Sequence, residues 1–369
     1  MTKIFTVKCS IIVYNLNFKF DAGTSRGVLR NKLTHFIQVR SDQFPNSIGI
    51  GEAGPLKGLS IDDVSDFQDK ANLILRRVEQ LNFWADQELL LQQIDELDLS
   101  KFPSIQFALE TALLDLIYGG KRQILQNRFF SGKISLPING LVWMGDKGFM
   151  ERQIDQKLEQ GYDCIKMKIG AINFDQECEI LEGIRERYTK EKITIRVDAN
   201  GAFTPDTALD KLHKLNEYDI HSIEQPIQPG LMREMNKLCK QTPIPIALDE
   251  ELIGVCGTEN RLALLESIAP QYIILKPTLL GGIVATREWI ELAYRTNTGW
   301  WMTSALESNI GLNAIAQLTA SLDVNMPQGL GTGQLYHNNI GSPLRISEGK
   351  LSYQCWAAGS IGGELPAVA

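Results

Sequence analysis

Residues 163–200 read DCIKMKIGAINFDQECEILEGIRERYTKEKITIRVDAN. Two short β-branched and apolar runs, Asp163 to Lys168 and Ile193 to Asp198, enclose a segment of helical length, Asp175 to Arg187. A strand, an amphipathic crossover and a second strand make one parallel unit. The same rhythm holds from about Lys133 onward. Further strand-like runs are Leu136 to Trp143, Ile220 to Glu224, Ile244 to Asp249, Tyr272 to Lys276 and Gly299 to Thr303. Helix-like stretches between them include Thr207 to Asn216, Thr258 to Glu266, Ile283 to Tyr294 and Leu312 to Ser321. Seven or eight such units in roughly 200 residues predict a closed barrel rather than an open sheet.

The first 130 or so residues follow another pattern. Lys3 to Phe18 and Leu33 to Val39 read as antiparallel strands joined through a turn at Gly23 to Gly27. Ile61 to Arg77 and Gln87 to Leu97 read as helices, and Asp62 is a candidate helix cap. Pro103 to Tyr118 is a third helix, with Ile105, Ala108, Leu109, Ala112, Leu113 and Leu116 on one packed face. Asp206 is a second candidate helix cap. The whole is an α/β protein: an α+β domain placed before a barrel.

Composition narrows the function. The 369-residue chain carries 37 Lys and Arg against 44 Asp and Glu, a net charge of −7. That excess, with no basic stripe, argues against a nucleic-acid partner. The apolar run Ile11-Ile12-Val13-Tyr14 is far below the ~20 residues of a membrane span, and Met1 to Ser10 lacks the plan of a signal peptide. Six scattered cysteines form no Cys-x-x-Cys, so neither a zinc site nor a disulfide framework is expected, and the thiols suit the cytoplasm. The oligomeric state is left open, a homo-oligomer included.

A barrel of this kind carries its active site at the C-terminal ends of its strands. Those ends bear Lys166 and Lys168, then Asp198, Glu224, Asp249 and Lys276. From Lys168 the positions step by 30, 26, 25 and 27 residues, one strand–helix unit each time. Lys166 and Lys168 share a strand face, as do Arg196 and Asp198, so all are expected to converge on the barrel mouth. A lone Lys-x-Lys would be an ordinary solvated strand edge, and a lone Asp an ordinary helix cap. The ordered set is different, because clustered carboxylates repel unless something neutralises them.

A hard divalent cation would do so. Mg²⁺ prefers oxygen ligands and keeps open positions, and Mn²⁺ fits the same donors. No histidine stands at these strand ends, which disfavours zinc. A lysine beside another cation loses proton affinity, so Lys166 is expected to tune Lys168 as a base. The chemistry indicated is metal-assisted removal of a proton next to the carboxylate of a small-molecule substrate.

The motifs Lys166-Met167-Lys168, Arg196-Val197-Asp198-Ala199-Asn200, Ile223-Glu224-Gln225-Pro226, Leu248-Asp249-Glu250 and Leu275-Lys276-Pro277 together resemble the enolase superfamily, in its muconate-lactonizing-enzyme-like branch. The resemblance spans nearly the whole chain. It implies a modified TIM barrel, (β/α)7β, with an N-terminal α+β capping domain completed by the C-terminal tail. The implied division is 1–130 for the capping domain, 131–340 for the barrel and 341–369 for a segment returning to the capping domain. It implies Asp198, Glu224 and Asp249 as Mg²⁺ ligands, with Lys168 and Lys276 on opposite sides of the substrate's α-carbon.

Three further segments resemble o-succinylbenzoate synthases: Thr24 to Leu29, Ser304 to Gly311 and Gly329 to Tyr336. The reaction implied is a lyase step of menaquinone synthesis, loss of water from 2-succinyl-6-hydroxy-2,4-cyclohexadiene-1-carboxylate. The alternatives on the same scaffold are an N-succinylamino acid racemase, a dipeptide epimerase and a muconate cycloisomerase-like enzyme. Dipeptide epimerases carry an Asp-x-Asp near the barrel's end, and none occurs between Trp301 and Pro343. Arg26, Ser304, Glu307 and Ser308 are expected in the substrate pocket. Arg196 and Asn200 are expected to support the metal ligands or the base. Of Trp300 and Trp301, only one can face the interior.

Overall fold

The computed structural model describes residues 3–24, 27–322 and 324–354. Seven parallel strands follow one another in chain order around a curled sheet: Gly140–Val142, Cys164–Lys168, Thr194–Asp198, Ser222–Glu224, Ile246–Leu248, Tyr272–Leu275 and Gly299–Met302. Gln328 and Gly329 take the eighth position, bridging in parallel to Ile138 on one side and Thr303 on the other. The backbone bonds Asn139 N to Gln328 O (2.9 Å) and Gly329 N to Met302 O (2.8 Å) close the ring. The covering helices are Lys147–Glu159, Phe174–Arg187, Pro205–Asn216, Met232–Gln241, Thr258–Ile268, Gly282–Arg295 and Asn309–Ala320. This is the expected (β/α)7β plan with a capping domain.

The short strands are buried on both faces, which is why they read as nearly unbroken apolar runs. Ile165, Met167, Ile195, Val197, Ile223 and Ile273 pack outward under the helices. Trp300 joins that outer core, whereas its neighbour Trp301 packs inside with Ala247 and Ile274.

The capping sheet is antiparallel, ordered Lys8–Thr24, Gly27–Arg40, Gly49–Ala53. Ile12, Leu16, Phe18 and Ala22 are buried at strand periodicity. Its hairpin runs beyond the expected ends at Phe18 and Leu33, through a register shift between Asn17 and Ala22. Helix Pro103–Ile117 lies directly on the strand Gly49–Ala53. At Gly51 a Cβ would stand 1.9 Å from the carbonyl oxygen of Ala108, so only glycine admits this approach. The first helix begins at Phe67 rather than Ile61. Asp62 caps a different helix: its buried carboxylate accepts from Ser104 N (2.9 Å) and Ser104 Oγ (2.6 Å) at the start of Pro103–Ile117. Asp206 lies in the first turn of Pro205–Asn216, whose N-cap is Thr204.

Two buried carboxylates of the capping domain finish barrel helices. Glu52 accepts from Ser308 N (2.9 Å), Ser308 Oγ (2.5 Å) and Gly311 N (2.9 Å) at the start of Asn309–Ala320. Glu110 accepts from Ile283 N and Val284 N at the start of Gly282–Arg295. Each meets unpaired N–H groups and the positive end of a helix dipole. Toward the C-terminus, Lys19 N donates to Leu335 O and His337 N to Asn17 O, so residues 335–337 meet the capping hairpin. The hairpin Leu344–Ser347 and Lys350–Tyr353 then pairs with Ser135–Pro137. No described helix is long and apolar enough to cross a membrane.

Glu110 makes a pH prediction. Burial pushes its carboxyl up to about 8, against the pull of the Ile283 and Val284 N–H groups. The folded chain therefore keeps a proton there that the unfolded chain has lost, and stability drawn from Glu110 falls as pH rises from about 4.5 to about 8. Urea midpoints of the wild type should drop relative to Glu110→Gln across that window. Parallel midpoint curves for the two proteins would contradict the assignment.

Candidate active site

The third, fourth and fifth barrel strands end side by side, with Asp198 paired in register to Glu224 and Glu224 to Ala247. Asp198, Glu224 and Asp249 are each no more than 2% exposed. The second strand supplies Lys166 and Lys168 from one flank and the sixth supplies Lys276 from the other. Lys166 Nζ lies 3.0 Å from Asp198 Oδ2 and also bonds Glu224 Oε2. Lys168 Nζ is 3.2 Å from Asp198 Oδ2 and 2.6 Å from Asn200 Oδ1. Lys276 Nζ is 2.5 Å from Asp249 Oδ2.

Three ammonium groups thus interleave with the carboxylates, and the field they make is uneven. Burial works against the Lys166 ammonium, but Asp198, Glu224 and Asp249 hold its pKa well above the ordinary lysine value. Lys276 is raised likewise, burial being outweighed by Asp249 and Glu250. Burial would raise Asp198, yet Lys166, Lys168 and Lys276 keep it well below the usual carboxylate range. Burial lifts Glu224 to about 7 despite Lys166, with Asp198 and Asp249 adding to the rise. Of the two carboxylates sharing the Lys166 ammonium, Asp198 holds the charge and Glu224 takes a proton first.

The donor set suits a hard cation: three carboxylates on adjacent strand ends, with the buried oxygen Glu224 Oε1 lacking a hydrogen-bond partner. Among the described residues no three His, Cys, Asp or Glu side chains converge on one point at metal-binding distance.

Lys166, Lys168, Asp198, Asn200, Lys276 and Ser304 line one cavity of about 940 Å³. Its apolar wall includes Phe20, Leu56, Leu141, Trp143 and Leu306, drawn from both domains. Asn139, Thr303 and Thr332 also line it, and Asn139 Oδ1, Thr303 Oγ1 and Thr332 Oγ1 are buried without partners. Asn139 immediately precedes the first strand, Thr303 follows the seventh, and Thr332 lies three residues beyond the eighth position. In a ring of eight, that is the side facing the carboxylates of strands three to five.

Other expected site residues fall elsewhere. Arg196 shares its face with Asp198 but sits one residue pair deeper, about 6–7 Å down the barrel. There its guanidinium lies 4.0 Å over the Trp301 ring and donates to Pro327 O (2.8 Å). Glu307 is fully buried, accepting from Thr278 Oγ1 (2.5 Å) and Ser304 Oγ, and is not a cavity-wall residue. Ser308 is bound to Glu52 as the N-cap of Asn309–Ala320. Arg26 lies outside the described residues. Asn200 proves central: at φ +43°, it accepts from Lys168, donates to Glu250 Oε1 (3.0 Å), and its N–H donates to Asp198 Oδ1 (3.0 Å). Glu250 is an acidic site residue to which the sequence pattern assigns no role. The run Asp249-Glu250-Glu251 after a buried apolar strand was its only signal.

Residues 150–354 match the family described as enolase C-terminal domain-like. This chain belongs to the enolase superfamily. An o-succinylbenzoate synthase of Desulfotalea psychrophila is 46% identical over 363 residues, covering 91% of this chain and 96% of the relative. An N-succinylamino acid racemase of Amycolatopsis is 25% identical over 318 residues, covering 83% and 82%. Among solved structures, MenC of Desulfotalea psychrophila superposes with a TM-score of 0.84 at 42% identity, over 94% of this chain and 99% of that one.

The buried ion pairs predict a stability effect in this superfamily member. Lys166→Met removes the ammonium shared by Asp198 and Glu224, leaving Asp198 to Lys168 alone and Glu224 buried without a cation. Stripped of divalent metal, the variant should lose about 3–5 kcal/mol in urea unfolding. An unchanged midpoint would show that Lys166 does not neutralise them.

Proposed function

We propose that this chain is an o-succinylbenzoate synthase acting with Mg²⁺. The reading is supported by the 46% identical relative that aligns along 91% of the chain. The cavity chemistry supports it too. With all groups ionised, Asp198, Glu224, Asp249 and Glu250 outweigh Lys166, Lys168 and Lys276 by one negative charge. A divalent cation reverses that surplus, and one substrate carboxylate then restores neutrality. Asp198, Glu224 and Asp249 would hold the cation, and Mn²⁺ suits the same oxygens. When bound, it supplies positive charge to the substrate carboxylate as that group becomes electron-rich.

The remaining work falls to the chain's own residues. Lys168 removes the proton α to the carboxylate of 2-succinyl-6-hydroxy-2,4-cyclohexadiene-1-carboxylate, and the C–H electron pair forms an enediolate. Lys276 stays protonated on the opposite face and stabilises that charge. The C6–O bond then breaks, and the proton held by Lys168 leaves with the hydroxide as water. The ring becomes aromatic, giving 2-succinylbenzoate. Asn200, bonded to Lys168 Nζ, orients the base. The succinyl arm points across the ring toward Asn139, Thr303 and Thr332, whose unpaired polar atoms would bond its oxygens. The thiols and composition suit a cytoplasmic place for this step.

A second reading is N-succinylamino acid racemisation, favoured by the Amycolatopsis relative and by a lysine on each side of the cavity. That reaction needs both lysines as bases.

The decisive assay is the absorbance change on mixing protein, Mg²⁺ and the cyclohexadiene. Lys168→Ala should cut kcat by about 10³–10⁴-fold, and EDTA should abolish turnover reversibly. Asp249→Asn should demand far more Mg²⁺ for half-activity. Folded, metal-loaded protein that turns over N-succinylamino acids but not the cyclohexadiene would replace the first reading with the second.

A further inference from the structure

Leu306 forms part of the cavity wall with a backbone that leucine rarely adopts, φ +63°. Its side chain packs with Leu16, Phe18, Leu56, Trp143 and Tyr336. Such a conformation persists only where the surroundings hold it. Here the hold is on the carbonyl. Leu306 O accepts from Lys32 Nζ at 3.0 Å and from Tyr336 OH at 2.7 Å. Leu306 N donates to Ser304 Oγ at 3.1 Å.

Lys32 is the unusual member. It is 4% exposed and makes no ion pair among the described residues. Its Nζ rests against Gly54, where a Cβ would stand 2.7 Å away. A buried ammonium without a carboxylate is a poor way to stabilise a fold, and an apolar side chain of similar length would fill the space better. Its strand, Gly27–Arg40, also brings Gly27, Val28 and Leu29 to the cavity. One strand of the capping sheet therefore both walls the cavity and grips the barrel loop opposite.

We propose that Lys32 is a positioning residue for substrate selection: its bond to Leu306 O fixes the left-handed turn that presents the Leu306 side chain to the non-reacting arm of the substrate. The proposal rests on the reading that this cavity takes a carboxylate bearing such an arm. Unseating the capping hairpin withdraws Lys32, releases the turn and reshapes the wall.

The test is a double-mutant cycle with the cyclohexadiene substrate, joined to crystal structures of the ligand-free variants. Lys32→Met should raise KM about tenfold with kcat within about threefold. Tyr336→Phe, which removes the other donor and leaves Lys32, should move KM the same way by less. It decides the matter if Lys32→Met does not fold. In a Leu306→Gly background, where glycine adopts the turn unaided, Lys32→Met should add less than about twofold. The Lys32→Met crystal structure should show Leu306 out of the left-handed region. A melting-temperature shift with unchanged KM, independent multiplication of the two effects, or an unmoved Leu306 φ would each overturn the proposal. If the wild type fails to turn over the substrate, the proposed function falls, and the Leu306 backbone in the variant still decides the clamp.

Discussion

Seven ionisable side chains share the open end of this barrel, and none could be kept there alone. A carboxylate moved into such a site loses several kcal/mol of hydration unless a cation replaces it, and the same holds for an ammonium. Asp198 stays ionised because Lys166 and Lys168 touch it, while Lys166 stays protonated because Asp198 and Glu224 touch it. The strand spacing and the inward parity both serve this mutual neutralisation. Its incompleteness is equally informative. With all seven ionised one negative charge is left over, and Glu224, the carboxylate with the higher proton affinity, also keeps an oxygen without a partner. A site poised in this way favours a divalent cation and an anionic substrate together.

The cavity is built from two kinds of material. Lys166, Lys168, Asp198 and Lys276 reach it from strands two, three and six of the barrel. The facing side carries apolar groups from the capping hairpin, the unpaired polar atoms of Asn139, Thr303 and Thr332, and the side chains of Lys57 and Lys157. Chemistry and selection are thereby separated. Relatives of this chain bear the names of an o-succinylbenzoate synthase and an N-succinylamino acid racemase.

Much of this was legible in the sequence. Strand-end charges recur at one-unit spacing, so Lys166, Lys168, Asp198, Glu224, Asp249 and Lys276 could be assigned to one rim before any coordinates. Parity placed Arg196 on the correct face, but parity carries no depth, and the side chain lies below the mouth against Trp301. Helices Lys147–Glu159 and Met232–Gln241 are missing from that reading; the first buries only Met150 and Ile154, too few to stand out by periodicity. Asp62, Glu52 and Glu110 were unreadable for another reason. Each caps a helix distant in the chain, and a single acid in an amphipathic segment looks like an exposed one until the partner helix is in place. Glu307 and Ser308 sit beside the cavity wall in sequence yet turn away from it, toward Thr278 and Glu52.

The caps supplied by Glu52 and Glu110 bear on how the molecule comes apart. The barrel helices Gly282–Arg295 and Asn309–Ala320 have their first turns completed by side chains from the other domain. Removing that domain would expose two positive helix ends and, at the same time, two carboxylates with no donors. Neither half is a finished folding unit. Loss of structure in one is therefore transmitted to the other, and the chain should melt as a single cooperative block rather than as a barrel shedding its lid.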